Sequence, residues 1–282
     1  MTETDLFLLL SRHISSGQAR LPAFDRTGFF VTQEMDKEHP DLRSIEKLIL
    51  QDPAISAHLL RAANSAYYRG LQEVATVRQA MLRLGLVEVA NIVIMLSQRN
   101  AFASEEPFIK EQMHDLWLHS VACAHASAWL ATQTGHPELV HTAFFAGLLH
   151  DIGKAFLLIA VGDLYADKKF PPGIMPSSFE KAIDDAHAAL GARLLTQWDI
   201  PVMYSDVARR HHDIFFAAED FLITVVSLAN KVLVKNGIGL RLDPDLDIEG
   251  SFEVAMLGIT PTQLLEIDLV VENYLTFIAD VV

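Results

Sequence analysis

Cysteine is nearly absent. Cys123 is the single one in 282 residues, so no intrachain disulfide can form, and a reducing compartment suits the chain. Glycine (14) and proline (11) are sparse, while 51% of residues are hydrophobic and 21% charged. That balance argues against collagen-like repeats, low-complexity scaffolds and disorder. Positive charge is also short: 22 Lys and Arg against 36 Asp and Glu give a net charge of −14. Such a field repels phosphate backbones and anionic lipid surfaces, so general nucleic-acid binding is disfavoured, although a local basic pocket for a small anion is not. Long apolar runs are missing as well. The stretches around 92–96 and 155–161 fall far short of the ~18 to 20 residues of a membrane span. Residues 1–10 carry acids where a signal peptide has a basic start. A cytoplasmic chain with no membrane segment is expected.

What the sequence has in quantity is helical period. Between residues 44 and 63 the apolar positions Ile45, Leu48, Ile49, Ile55, Leu59 and Leu60 share helix faces. They are interrupted at Asp52-Pro53, where Asp suits an N-cap and Pro a first turn, so two helices meet there. The same reasoning predicts helices over about 76–84, 86–103, 108–133, 137–150 and 152–161, broken near Gly85, Gly135 and Gly153. Ser177 with Glu180 reads as a capping box opening a helix toward Trp198, and Pro201 opens another that ends near His211-His212. A further helix is expected over 219–235, and Thr260-Pro261 with Gln263 caps a terminal helix to about Asp280. Residues 166–176 and 237–250 read as loops. With no hairpin turn between alternating runs, the fold class is all α: a multi-helix bundle, with an N-terminal helical subdomain to about residue 105 packed on a histidine-bearing subdomain over 106–282.

The chemistry-bearing segment is Gly147-Leu148-Leu149-His150-Asp151-Ile152-Gly153-Lys154. Successive helical side chains diverge by about 100°, so His150 and Asp151 share one metal only where a helix ends or bends. His119 lies on a predicted helix upstream, and His187, His211 and His212 follow at spacings that let separate helices converge. Imidazole nitrogen with carboxylate oxygen suits Fe, Mn, Zn or Ni. The alternative for His150-Asp151 is a hydrogen-bonded pair at a helix end within the core.

At these residues the chain resembles the HD superfamily, and more closely its HDOD branch, over roughly residues 20–235. The marks are Leu21-Pro22, Gln51-Asp52-Pro53, Asn64-Ser65, Arg83-Leu84-Gly85, Trp117 with His119, and the 146–153 segment. His187, Leu190-Gly191, Trp198-Asp199-Ile200-Pro201 and His211-His212 complete them. The resemblance implies an all-helical signalling output module that binds a partner protein or a small anionic ligand such as a nucleotide. It is related to the HD-GYP phosphodiesterases, which hydrolyse cyclic di-GMP at a di- or trinuclear metal centre. Their ligand positions match His119, His150, Asp151, His187, His211 and His212, and their phosphate-contacting lysine matches Lys154.

Two departures bear on turnover. Asn230 stands where the HD pattern closes with aspartate, and Asp213-Ile214-Phe215-Phe216 replaces the element containing Gly-Tyr-Pro. A neutral amide is a poorer ligand than a carboxylate. The expectation is therefore a regulatory module with a retained metal centre; the alternative is a metal-dependent phosphohydrolase in which Lys154 contacts phosphate. Lys154 reads equally as a solvated helix residue. Arg209 and Arg210 suit either a phosphate or the negative end of their helix. His119 and Cys123, at i and i+4, read as core more readily than as a two-ligand site. The Asp-rich stretch 243–249 lacks the spacing of a calcium-binding EF-hand loop.

Overall fold

The computed structural model describes residues 3–68, 70, 72–167 and 177–281. Among the described residues the fold is all α, a multi-helix bundle with N-terminal helices packed on a larger core. The N-terminal part comprises α1 (Glu3–Ser15), α2 (Arg26–Met35), α3 (Leu42–Gln51), α4 (Pro53–Asn64), α5 (Val77–Leu84) and α6 (Leu86–Gln98), the last running into a short 3-10 segment, Arg99–Phe102. The larger part comprises α7 (Pro107–Gln133), α8 (Val140–Leu149), α9 (Ile152–Ala166), α10 (Ser177–Gln197), α11 (Val202–Arg210), α12 (Phe221–Lys235), α13 (Phe252–Leu257) and α14 (Pro261–Val281).

The predicted boundaries have their physical causes in place. The Asp52 carboxylate accepts from the backbone N–H groups of Ala54 (2.8 Å) and Ile55 (3.1 Å), starting α4 as α3 ends. Thr76 and Gln79 exchange hydrogen bonds at the head of α5, as do Thr260 and Gln263 at the head of α14. Asn64 does more than end its helix: its amide donates to Val74 O and accepts from Val74 N–H, both at 2.9 Å, pinning the chain on its way to α5. Helix α10 begins at Ser177, but its capping side chains lie outside the described residues, as does most of the expected 166–176 loop.

Three helices were not predicted: α1, α2 and the six-residue α13. Partners distant in sequence help to stabilise them. Helix α1 packs on α9 and α10, with His13 Nε2 3.4 Å from Asp163. Helix α2 lies against α6 and α8. Helix α13 packs on α12, where the buried Glu253 accepts from Ser227 Oγ (2.7 Å) and Lys231.

The helical run 137–166 is long and apolar enough by composition to cross a membrane, because the break at His150-Asp151 leaves the helices on either side nearly in series. In the fold this run is core: 94% of its most apolar window is buried, and α8 and α9 pack against α7 and α10.

Candidate metal centre

His150 and Asp151 occupy the two-residue junction between α8 and α9, which turns both side chains to one point. The close approach of α10 to that junction depends on Gly153. A Cβ there would lie 1.9 Å from His187 O and 2.7 Å from Gly191 N, so any side chain would push α10, and His187 with it, off the site. His119 arrives from the middle of α7, and His211 and His212 follow the last turn of α11.

Asp151 is at the middle of the cluster and fully buried. Its Oδ2 lies 3.5 Å from His119 Nε2 and 3.4 Å from His150 Nε2, and those two nitrogens are 3.4 Å apart. Its Oδ1 lies 3.5 Å from both His187 Nε2 and His211 Nε2, while His212 Nε2 is 3.1 Å from His187 Nε2. The carboxylate thus serves two groups of ligand atoms, His119–His150–Asp151 and Asp151–His187–His211–His212, each within a 4.8 Å span. Two donors at about 2.1 Å from a tetrahedral ion sit about 3.4 Å apart, which is the spacing found here.

The tautomers follow from the surroundings. His119, His150, His187 and His211 place Nδ1 at 2.8, 2.7, 2.8 and 3.0 Å from the carbonyl oxygens of Ile238, Gly147, Ile183 and Ala208. A carbonyl only accepts, so each Nδ1 carries the hydrogen, leaving Nε2 to face the centre. Burial pushes His119 down to about 3 and His211 to about 4, and lowers His187, so these rings are neutral with free Nε2 lone pairs near pH 7. His150 is the exception: although burial opposes its charge, Cys123 and Asp151 hold its pKa above the usual histidine range. Burial alone would raise Asp151, but Lys154 and His150 outweigh it and keep the carboxylate ionised.

The residues fit a metal. Asp151 Oδ1 and His211 Nε2 are buried without a hydrogen-bond partner among the described residues. Orphaned acceptors of this kind cost about 1–3 kcal/mol each unless a cation satisfies them. Asn230, on α12, likewise leaves its buried Oδ1 without a partner among the described residues.

Lys154 is not a solvated helix residue: its Nζ bonds Asp151 Oδ2 at 2.6 Å, and it lines a cavity of about 420 Å³ beside His119 and Asp151. Arg210 does not reach this cavity's lining; it is tied to Asp213 and Asp220, and Arg209 lies 3.5 Å from Asp206. Cys123 is fully buried beside His150 and outside both ligand groups, as a core residue should be.

Sequence reasoning missed the residues after α12. Ile238 O orients His119; Gly239, at φ +114°, brings its backbone so close that a Cβ would fall 2.8 Å from His119 Cβ; Leu240 and Arg241 line the cavity. The available signal was the pair Gly237 and Gly239, interleaved with Ile238 and Leu240 in the loop after α12, a spacing that marks backbone forced close to a neighbour.

Residues 21–214 match the HDOD domain family. The chain belongs to that family. A Treponema pallidum relative, known as an uncharacterized protein, is 27% identical over 207 residues, covering 70% of this chain and 39% of its own length. This HDOD chain therefore spans well under half of that relative. Among solved structures it resembles an HDOD domain protein of unknown function from Geobacter sulfurreducens (TM-score 0.68, 21% identity, 95% and 98% of the two chains). It is also similar to a candidate metal-dependent phosphohydrolase from Shewanella amazonensis (0.62, 19%, 95% and 99%). A third neighbour is a candidate signal transduction protein from Marinobacter aquaeolei (0.67, 18%, 92% and 58%). At these identities the likeness establishes the HDOD fold.

Proposed function

We propose that this HDOD chain is a signal-transduction module that holds divalent transition-metal ions between His119, His150, Asp151, His187, His211 and His212. It works by binding a partner protein or a small anionic ligand, without turnover. The observation that carries the reading is the pair Asp151 Oδ1 and His211 Nε2, buried, 3.5 Å apart and without a hydrogen-bond partner among the described residues. Imidazole and carboxylate donors suit Fe, Mn, Zn or Ni; ions held there supply positive charge beside the 420 Å³ cavity. The neutral Asn230 and the Asp213–Phe216 sequence argue against hydrolysis. Ile214 and Phe215, each 73% exposed next to His211-His212, support a protein partner at that surface.

A second reading, a metal-dependent phosphohydrolase, is favoured by one feature: Lys154 stands on the cavity wall within reach of Asp151. There it would contact a substrate phosphate while an ion lowered the pKa of attacking water. Elemental analysis of protein purified without chelator or nickel resin tests the metal, and a panel of nucleotides and cyclic dinucleotides tests turnover. Bound metal without hydrolysis supports the module. Hydrolysis lost in both chelator and Asp151→Asn supports the enzyme, and a folded, metal-free wild type sinks both.

A further inference from the structure

Lys154 has two neighbours with opposite demands. Its ammonium is 2.6 Å from Asp151 Oδ2, the same oxygen that faces His119 Nε2 and His150 Nε2 at 3.5 and 3.4 Å. A divalent ion on that group of donors would share one carboxylate oxygen with a lysine cation, and two like charges so close in a buried site repel strongly. The side chain has somewhere else to go, since Lys154 already lines the cavity.

Arg241 lines the same cavity. Among the described residues no carboxylate pairs with it, and it is exposed. Its loop is held firmly. Ile238 N–H donates to Leu233 O and Asp243 N–H to Val234 O, both at 3.0 Å, while Ile238 O fixes His119. The remaining walls are Leu116, Leu158, Ile183, Val234, Ile238 and Leu240, with Gln112 and Asp184 as polar groups. The volume lies within the ~300–1,000 Å³ of small-molecule sites. In a chain of net charge −14, an arginine and a displaceable lysine line this cavity together with the Asp151 and Asp184 carboxylates, and the two cations match a dianionic phosphate group better than a single carboxylate.

We propose that Lys154 couples metal binding to anion binding. It neutralises Asp151 while the His119–His150–Asp151 group holds no ion, and loading of that group frees its ammonium to meet, with Arg241, the phosphate of a ligand in the cavity. The inference rests on the metal-binding reading above. Coupling is reciprocal: phosphate must then tighten metal binding by the same factor that metal tightens phosphate.

The test is titration of Mn²⁺ into the metal-free full chain by calorimetry, with and without inorganic phosphate, for wild type, Lys154→Met and Arg241→Gln. Phosphate is expected to tighten Mn²⁺ binding to wild type at least about fivefold. Lys154→Met is expected to bind Mn²⁺ more tightly than wild type in the absence of phosphate, because the competing cation is gone, and to lose most of the phosphate effect. Arg241→Gln should keep wild-type Mn²⁺ affinity without phosphate and lose the enhancement. A Lys154→Met protein with weaker or unchanged Mn²⁺ affinity overturns the proposal, as does phosphate acting equally on all three proteins, which reports only complexation in solution. A wild type that binds no divalent ion instead refutes the metal centre itself, a different failure from either of these.

Discussion

Asp151 turns Oδ2 toward His119 and His150 and Oδ1 toward His187 and His211, so shortening this one side chain takes a ligand from both groups at once. Losing His119 or His211 removes a donor from one group only. His119→Ala and His211→Ala are each expected to lower the metal content by about one ion per chain, the loss of one of a few ligands sufficing to empty a site. The donors themselves were legible in the sequence, because histidine and aspartate carry this chemistry in their own side chains, and the adjacent pair beside Gly153 marked the bend. Their orientation was not, since Gly147, Ile183, Ala208 and Ile238 act through backbone carbonyls and any residue type supplies one.

Between elements, the α9–α10 contact is the tightest constraint on the centre. Gly153→Ala places a methyl group against His187 O, and unfolding titration should show a loss of about 3 kcal/mol, typical of forced overpacking. Metal content should fall with it, as His187 is carried away. A second prediction concerns α6, where burial pushes the Glu88 carboxyl up to about 7 although the Tyr68 hydroxyl, which donates to it, opposes the shift. Nearby, on α14, the buried Tyr274 hydroxyl has no partner among the described residues and its ring stacks on His125 at 3.8 Å. Glu88 binds its proton more tightly folded than unfolded, so its contribution is complete below about pH 4.5 and declines as pH rises through 7. Unfolding measured from pH 5 to pH 8 should show stability dropping by about 3 kcal/mol from this group, and Glu88→Gln should flatten that slope. Apolar period, apolar runs and caps revealed α3 to α12 and α14. Helices α1, α2 and α13 escaped, although Asp25 caps α2 and Ser251 caps α13; long-range partners, such as Asp163 for α1 and Ser227 for α13, add to their stability.

At the scale of the whole molecule, the centre draws its ligands from α7, the α8–α9 junction, α10 and the end of α11, so an ion held there ties together the larger part of the bundle. An ion that binds only the folded chain stabilises it by about 2.7 kcal/mol at a hundredfold excess over its dissociation constant. Chelation should therefore lower the thermal midpoint by several degrees, and Asp151→Ala protein should no longer respond to chelator. The class of fold was readable from composition and period, whereas the cavity was not, for it arises only where the loop after α12 folds back over α7. The most direct test of the two-group centre is native mass spectrometry of the full chain loaded with Mn²⁺, counting ions per molecule for wild type, His119→Ala, His211→Ala and Asp151→Ala. Two ions in the wild type, one in each histidine variant and none in Asp151→Ala is the predicted pattern. A folded wild type that carries no ion, or an Asp151→Ala protein that carries as many as wild type, would contradict it.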